Sequence, residues 1–167
     1  MNDSLEKLID EKCNSLDAWN IDKKHIAASF FENENEILTM KVFKGEIFNC
    51  VIGENLGHEQ CDTRPVVIIS SNFINCRTST VLAAPLSTNV VKKTIIKNGR
   101  ERKVLRFSTQ ILLRPTDYSF LSAESVVKID QMKTVSKDRL LGKLGNLNAD
   151  TIKFLDRKIC KYLDIEL

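Results

Sequence analysis

The chain has 167 residues, with 25 basic and 22 acidic side chains and a net charge of +3 at neutral pH. This length supports one domain with a substantial core and leaves room for an appendage. The sequence has no apolar run of the roughly 18 residues that a membrane-spanning helix needs, and its five scattered cysteines form no Cys-x-x-Cys pair, which argues against a disulfide framework or a zinc site.

The N-terminal quarter differs in charge from the rest of the chain. Residues 1–43 hold five lysines and nine acids, a net charge of −4, whereas residues 44–167 carry +7. Apolar residues at helical spacing predict helices over 4–18 and 22–39. We therefore expect an acidic helical extension over 1–43 and a separate domain over 44–167. The start lacks the basic and apolar regions of a signal peptide, so a cytoplasmic location is expected.

From residue 44 the pattern becomes typical of strands. Short apolar runs separated by Gly, Pro, Asn and Ser predict strands over 45–52, 65–71, 79–87, 103–113 and 124–133. Asn98-Gly99 is a two-residue hairpin turn that would pair 92–97 with 102–107. Ser136 and Asn148 are candidate N-caps for helices over 137–143 and 149–163. The prediction is a mainly β fold with helices (α+β), built as a small, strongly curved β-barrel.

The predicted hairpin is strongly basic. Seven cations lie between Lys92 and Arg106, and only Glu101 opposes them. Such a patch suits a polyanion such as RNA, and Lys92, Lys93, Arg100 and Arg102 are its candidate contacts. A solvated, highly charged loop is the other interpretation.

A polar loop before the second strand carries the residues best suited to chemistry. It reads GHEQCDTRPVV from Gly57 to Val67 and contains His58 and Arg64. Histidine transfers protons near neutral pH, and the arginine fork binds phosphate. The pair indicates chemistry on a phosphate, although an ordinary surface loop has the same composition.

Four short segments, in order, resemble the MazF/PemK/Kid toxins, which are small ribonucleases of bacterial toxin–antitoxin systems. They are Lys44–Phe48 (KGEIF), the loop and strand GHEQCDTRPVVIIS, Val81–Thr88 (VLAAPLST) and Val127–Thr134 (VKIDQMKT). Together with the helix that follows they cover roughly residues 44–164. Residues 1–43 have no counterpart in the minimal toxin.

The resemblance implies an SH3-like small β-barrel of the CcdB/MazF type, with the helical extension before it and a C-terminal helix. It also implies a homodimer, a cognate antitoxin protein, and a sequence-specific endoribonuclease acting on single-stranded mRNA. Cleavage through the ribose 2′-hydroxyl needs a base, an acid and positive charge. The chain has only two histidines and no spaced Cys/His cluster. We therefore expect metal-independent chemistry without a cofactor, giving 2′,3′-cyclic phosphate and 5′-hydroxyl ends.

Family motifs assign roles to individual residues. His58 and Asp130 would act as the general acid and base. Arg64 would hold the scissile phosphate. Lys128 stands where Kid-type members have arginine. Alternation along 128–131 would put Lys128 and Asp130 on one strand face. The expected substrate contacts are Glu59, Gln60, Ser87, Thr88 and Gln131. Asp130 could instead pair with Lys128 or Arg64, and Ser87 could be a plain turn residue.

One departure from the family lies in the loop itself. Where many relatives have glycine in this loop, the chain has Cys61-Asp62, so a glycine is lost and a negative charge is gained. Asp62 would repel RNA unless Arg64 or a lysine neutralises it. Cys61 could be a reactive thiol, although a small buried residue is the simpler interpretation. Two other functions stay open. One is a binding protein of the same fold, either a CcdB-like gyrase poison or a weak RNA-binding protein. The other is a regulatory or structural module whose function lies in residues 1–43.

Overall fold

Two helices begin the chain and one ends it, and strands fill most of the sequence between them. The computed structural model describes residues 3–166. Its helices are α1 (Asp3–Glu32), α2 (Glu34–Thr39), α3 (Asn72–Asn75) and α4 (Ala149–Tyr162). Its strands are β1 (Glu46–Gly53), β2 (Asp62–Ile68), β3 (Thr80–Ser87), β4 (Lys92–Lys97), β5 (Arg100–Leu105), β6 (Gln110–Leu113), β7 (Ser125–Lys128), β8 (Lys133–Ser136) and β9 (Leu140–Asn146). Single turns of 3₁₀ helix lie at Ile129–Gln131 and Lys137–Arg139.

Seven of the strands form one antiparallel sheet. Its order is β6–β7–β3–β2–β1–β9, with β8 also paired to β3. β4 and β5 form a separate two-stranded sheet. The predicted α+β class is confirmed. The barrel is open rather than closed, because β6 and β9 end the path without pairing to each other among the described residues.

Both faces of the sheet are buried, because successive residues of β2 enter different cores. Val67 packs in a first core that α4 covers with Leu155. Val66 packs in a second core with Cys50 of β1. Since side chains two apart on a strand share a face, Arg64 lies on the same face as Val66, at the edge of the second core. The fold thereby fixes the direction of this arginine.

The long N-terminal helix packs against the sheet through a few specific contacts. Trp19 lies against Gly53, where a Cβ would overlap the indole ring. The guanidinium of Arg139 stands 5.5 Å from the Trp19 ring, and Lys12 forms an ion pair with Glu54. Trp19 therefore packs α1 onto the sheet. No helix of the described residues combines the length and apolar character that crossing a membrane requires.

Two helix predictions are wrong. The segments 4–18 and 22–39 are not separate helices, because α1 runs unbroken from Asp3 to Glu32. The intervening Trp19-Asn20-Ile21 contains no Gly or Pro to end it. The helix predicted over 137–143 is mostly strand β9, which pairs with the edge of β1. Gly142 and Gly145 disfavour a helix there, and the Ser136 side chain makes no capping hydrogen bond. By contrast, Asn148 caps α4 by accepting a hydrogen bond from the Thr151 N–H at 2.8 Å.

The strand predictions need three adjustments. The segment 103–113 is two strands in different sheets, separated by residues 106–109. The segment 124–133 stops being a strand at Lys128, where the 3₁₀ turn begins. The Asn98-Gly99 turn is confirmed, and both residues have positive φ, as a type I′ turn requires. Because a two-residue turn makes Lys97 face Arg100, β4 pairs with 100–105 rather than with 102–107.

Candidate functional site

Arg64 organises the polar loop that precedes its strand. Its Nε donates to the Cys61 carbonyl at 2.5 Å, and its Nη1 donates to Gln60 Oε1 at 2.6 Å. Its Nη2 lies 3.4 Å from Asp62 Oδ2. The guanidinium therefore stands beside the Asp62 carboxylate and offsets part of its negative charge.

A groove opens between this loop and the 3₁₀ turn at Ile129–Gln131. It has a volume of about 330 Å³ and is lined by Glu59, Gln60, Asp130, Gln131, Met132 and Lys133. The Gln60 N–H donates to Gln131 Oε1 at 3.2 Å, which joins the two segments. Four of the residues expected from the sequence thus line one groove, and Arg64 is tied to it through Gln60.

Lys133 is a groove residue that the sequence analysis missed. Burial lowers the pKa of its ammonium, and the nearby Arg139 charge lowers it further, while Glu59 acts in the opposite direction. Its position in the segment VKIDQMKT, two residues after Gln131, was the available signal. The groove therefore holds two carboxylates and a partly desolvated amine, which are groups able to move protons.

His58 lies in the turn beside Glu59 and is exposed. It forms no hydrogen bond to any other residue within the described range 3–166, and it does not line the groove. Asp130 does line it, and its Oδ1 accepts a hydrogen bond from Thr109 Oγ1 at 3.3 Å. Neither of the ion pairs considered for Asp130, with Lys128 or with Arg64, forms among the described residues.

Lys128, Ser87 and Thr88 stand apart from the groove lining. The expectation that Lys128 and Asp130 share a strand face is wrong, because the chain turns at residue 129. Lys128 ends β7 opposite Gln110. Ser87 ends β3, and its Oγ accepts a hydrogen bond from the Asn89 N–H at 3.2 Å, as a turn residue does. Continuing the register in which Val66 faces Pro85 would place Ser87 opposite Arg64.

The basic hairpin lies outside the main sheet. Lys92 Nζ is bonded to Glu124 Oε2 at 2.6 Å, so this lysine anchors the hairpin to the body. That hydrogen bond lowers the pKa of the Glu124 carboxyl. Lys93, Arg100 and Arg102 are exposed on β4 and β5. Three of the four expected hairpin contacts are thus open to solvent, and Lys92 already has a partner.

Cys61 has the surroundings of a poor nucleophile. Desolvation raises the pKa of its thiol, and its hydrogen bond to Asp62 Oδ2 at 3.4 Å raises it further. The ligand atoms of Glu54, Cys61 and Asp62 lie within 4.8 Å of one another and could reach a metal ion. Since Lys12 already pairs with Glu54, a cation there would have to displace an ammonium group.

Comparison with known proteins agrees with this fold. Residues 43–163 match the family model described as PemK-like, MazF-like toxin of type II toxin–antitoxin system. Endoribonuclease MazF6 of Mycobacterium tuberculosis is 25% identical over 127 residues, which cover 75% of this chain and all of that protein. A MazF structure from Deinococcus radiodurans is similar with a TM-score of 0.57 at 19% identity, covering 75% of this chain and 99% of that one.

A mycobacterial endoribonuclease solved in complex with its cognate antitoxin is also similar. Its TM-score is 0.53 at 23% identity, and the match covers 75% of this chain and 98% of that one. The family model spans most of the chain and contains the loop, the groove and α4. The chain therefore belongs to the PemK-like, MazF-like toxins of type II toxin–antitoxin systems, a family of endoribonucleases.

Proposed function

We propose that the chain cleaves single-stranded RNA at preferred sequences through the ribose 2′-hydroxyl, without a metal ion. The observation that carries the proposal is the contact between the Arg64 loop and the turn at 129–131. The hydrogen bonds of Gln60 to Arg64 and to Gln131 join a phosphate-binding side chain to a groove with ionisable walls. That arrangement supports proton transfer beside a bound phosphodiester.

The chemistry needs two proton transfers. A base takes the proton of the 2′-hydroxyl while O2′ bonds to phosphorus, and the bond from phosphorus to O5′ breaks. An acid then protonates O5′, giving a 2′,3′-cyclic phosphate and a 5′-hydroxyl. His58 and Asp130 are the proposed pair. Glu59, which follows His58 in the chain, lines the groove and offers a second carboxylate.

Positive charge must stabilise the pentacovalent phosphorus. Arg64 is the proposed phosphate ligand. Its Nη2 makes only a long hydrogen bond of 3.4 Å to Asp62, so this N–H can most readily exchange its partner for a phosphate oxygen. Lys133 lines the groove and Lys128 lies at the end of β7, so both can add charge. Glu59, Gln60, Gln131, Ser87 and Thr88 remain proposed substrate contacts.

The proposed partners follow from the family. Because a similar mycobacterial endoribonuclease was solved with its cognate antitoxin, we propose an antitoxin partner here and a homodimeric toxin. The cytoplasm, where mRNA and antitoxin are present, is the proposed location. We also propose that residues 1–43 are an extension added to the catalytic domain at 44–167, since the family match begins at residue 43.

The test is the initial rate of cleavage of a mixed-sequence RNA by purified protein. His58→Ala should reduce the rate by about 10²–10⁴, the usual contribution of general acid–base catalysis. Arg64→Lys should reduce it by about 10²–10³, because a lysine lacks the fork and cannot hold the phosphate and the loop together.

Matched controls come from the same chain. His25→Ala changes the other histidine, which is exposed on α1, and Arg77→Lys changes an exposed arginine that follows α3. Both should cleave like the wild-type protein. A wild-type protein that binds RNA without cutting it would favour the non-catalytic alternative, and unchanged cleavage by His58→Ala would remove histidine from the mechanism.

A further inference from the structure

A second cleft is lined by Ser108 and Gln110, the two chain neighbours of Thr109. It has a volume of about 580 Å³ and lies between the base of the hairpin, β6 and α4. Ser108 and Gln110 line it, whereas Thr109 between them bonds to Asp130 and accepts the Ile129 N–H at 3.3 Å. The cleft is therefore joined to Asp130, a proposed catalytic carboxylate, through a single residue, Thr109.

Two aromatic rings with neighbouring cations form its walls. Phe107 is 46% exposed and Phe154 is 43% exposed. The Arg106 guanidinium lies 5.7 Å from the Phe107 ring centre, and Lys158 Nζ lies 5.4 Å from that of Phe154. Exposed rings beside cations are what proteins use to stack unpaired bases and hold the adjoining backbone.

One residue of the cleft lining, Gln110, has a buried hydrogen-bond acceptor without a donor in the described part of the chain. Gln110 is only 6% exposed, and its Oε1 is buried with no hydrogen-bond partner among the described residues. An unsatisfied buried carbonyl is costly, and a ligand N–H would relieve that cost. Asp150 adds a carboxylate to the lining. Acceptors in the interior disfavour a phosphate there and favour a base, whose amino or imino groups donate.

We infer that this cleft binds one unpaired nucleobase of the RNA, close to the bond that the groove cleaves. The base stacks on Phe107 and Phe154 and donates a hydrogen bond to Gln110 Oε1. Arg106 and Lys158, the cations beside the two rings, contact the adjoining backbone. This inference rests on the proposed function, because it assumes that RNA lies in the nearby groove.

The experiment measures binding of a fluorescent, 2′-O-methylated oligonucleotide of mixed sequence, which cannot be cut because it has no free 2′-hydroxyl. Phe107→Ala and Phe154→Ala should each weaken binding by about 5- to 150-fold, the range for removing one base stack. Phe73→Ala is the matched control, since Phe73 is an exposed ring on α3 with Arg77 at 3.8 Å, away from the cleft. It should bind like the wild-type protein.

The Gln110→Met variant shows whether Gln110 contacts the RNA base or only supports the fold. It removes the unsatisfied acceptor with little change in shape, so stability should be unchanged or higher while binding weakens. Lower stability with unchanged binding would overturn the inference. Wild-type binding by both phenylalanine variants would also overturn it. A Phe154→Ala protein that changes only its oligomeric state would overturn it as well, because the cleft would then belong to an interface with a second copy of the chain. Failure of the wild-type protein to cleave unmodified RNA would refute the proposed function separately, because binding is measured without cleavage.

Discussion

Cys50 shows how a single side chain in the second core responds to its surroundings. It is fully buried on β1 opposite Arg64. Burial raises the pKa of its thiol from 9.0 to about 11, although the charges of Arg139 and Lys133 oppose the shift. The thiol is therefore a packing residue at physiological pH, and its ionisation would destabilise the fold.

The sign of the resulting pH dependence can be stated. Below pH 9 the thiol is protonated in the folded and unfolded chains, so it contributes no slope. Between pH 9 and 11 the unfolded chain loses the proton first and holds fewer protons, so the free energy of unfolding falls by about 1.4 kcal/mol per pH unit, or about 3 kcal/mol in total.

Denaturant titrations at pH 8, 9, 10 and 11 can measure this fall against a Cys50→Ala variant. The variant should start less stable because it loses packing, and the gap to the wild-type protein should narrow as pH rises. A gap that stays constant up to pH 11 would show that Cys50 does not ionise in this way.

At the scale of elements, α1 and α2 differ in how deeply they enter the domain. The contacts of α1 with the body include half-buried Trp19 and Lys12, and none of its described side chains is buried, whereas α2 buries Ile37. The segment after α2 supplies the Met40 carbonyl that accepts a hydrogen bond from Lys137 Nζ at 3.0 Å. Lys137 is fully buried, and burial lowers its pKa. The second half of the proposed extension, residues 33–43, therefore packs into the domain, whereas α1 lies on its surface.

Two truncations test this division. Deleting residues 1–32 should leave a folded protein that still cleaves RNA, because Ile37 and Met40 remain. Deleting residues 1–40 should give an unfolded or aggregated product, since a buried ammonium loses its acceptor, a change that typically costs several kcal/mol. Circular dichroism, size exclusion and the cleavage rate distinguish the two. A shorter protein that is more active than the full chain would mean that α1 inhibits the site, and two equally stable truncations would refute the division.

The hairpin is the second element with a separable role. Lys93, Arg100 and Arg102 are exposed, while Lys92 is paired with Glu124. Replacing the three exposed cations with glutamine should weaken RNA binding and reduce the slope of log affinity against log salt by roughly 0.7 for each phosphate that is no longer neutralised. Lys92→Gln alone should change the slope less. Cleavage-site choice should stay constant, because interactions with the RNA backbone carry no sequence information. An unchanged salt slope in the triple variant would show that the hairpin does not contact RNA.

Local patterns predicted some elements well and failed at others for identifiable reasons. The Asn98-Gly99 turn and the Asn148 cap depend on adjacent residues, so the sequence was sufficient. Strand β9 depends on the free edge of β1, about 90 residues earlier in the chain, and local propensity does not contain that information. The 3₁₀ turn at Ile129–Gln131 interrupted an apparently alternating segment, which is why Lys128 and Asp130 were wrongly placed on one face.

At the scale of the whole molecule, the groove joins segments that are distant in sequence. Motifs identified Gln60 and Gln131 separately, but only the fold shows that the backbone of one bonds to the side chain of the other across 71 positions. The same assembly brings Lys133 into the groove. Sequence reasoning could therefore name most of the groove residues, and it could not determine which of them meet.

The most direct test of the central claim is the identity of the RNA ends. Purified protein should be incubated with a mixed-sequence RNA in the presence of EDTA, and both ends of each fragment should be mapped. The account predicts 5′-hydroxyl and 2′,3′-cyclic phosphate ends at a restricted set of sequences, produced at the same rate with and without EDTA. Fragments with 5′-phosphate and 3′-hydroxyl ends, or cleavage that stops in EDTA, would contradict it.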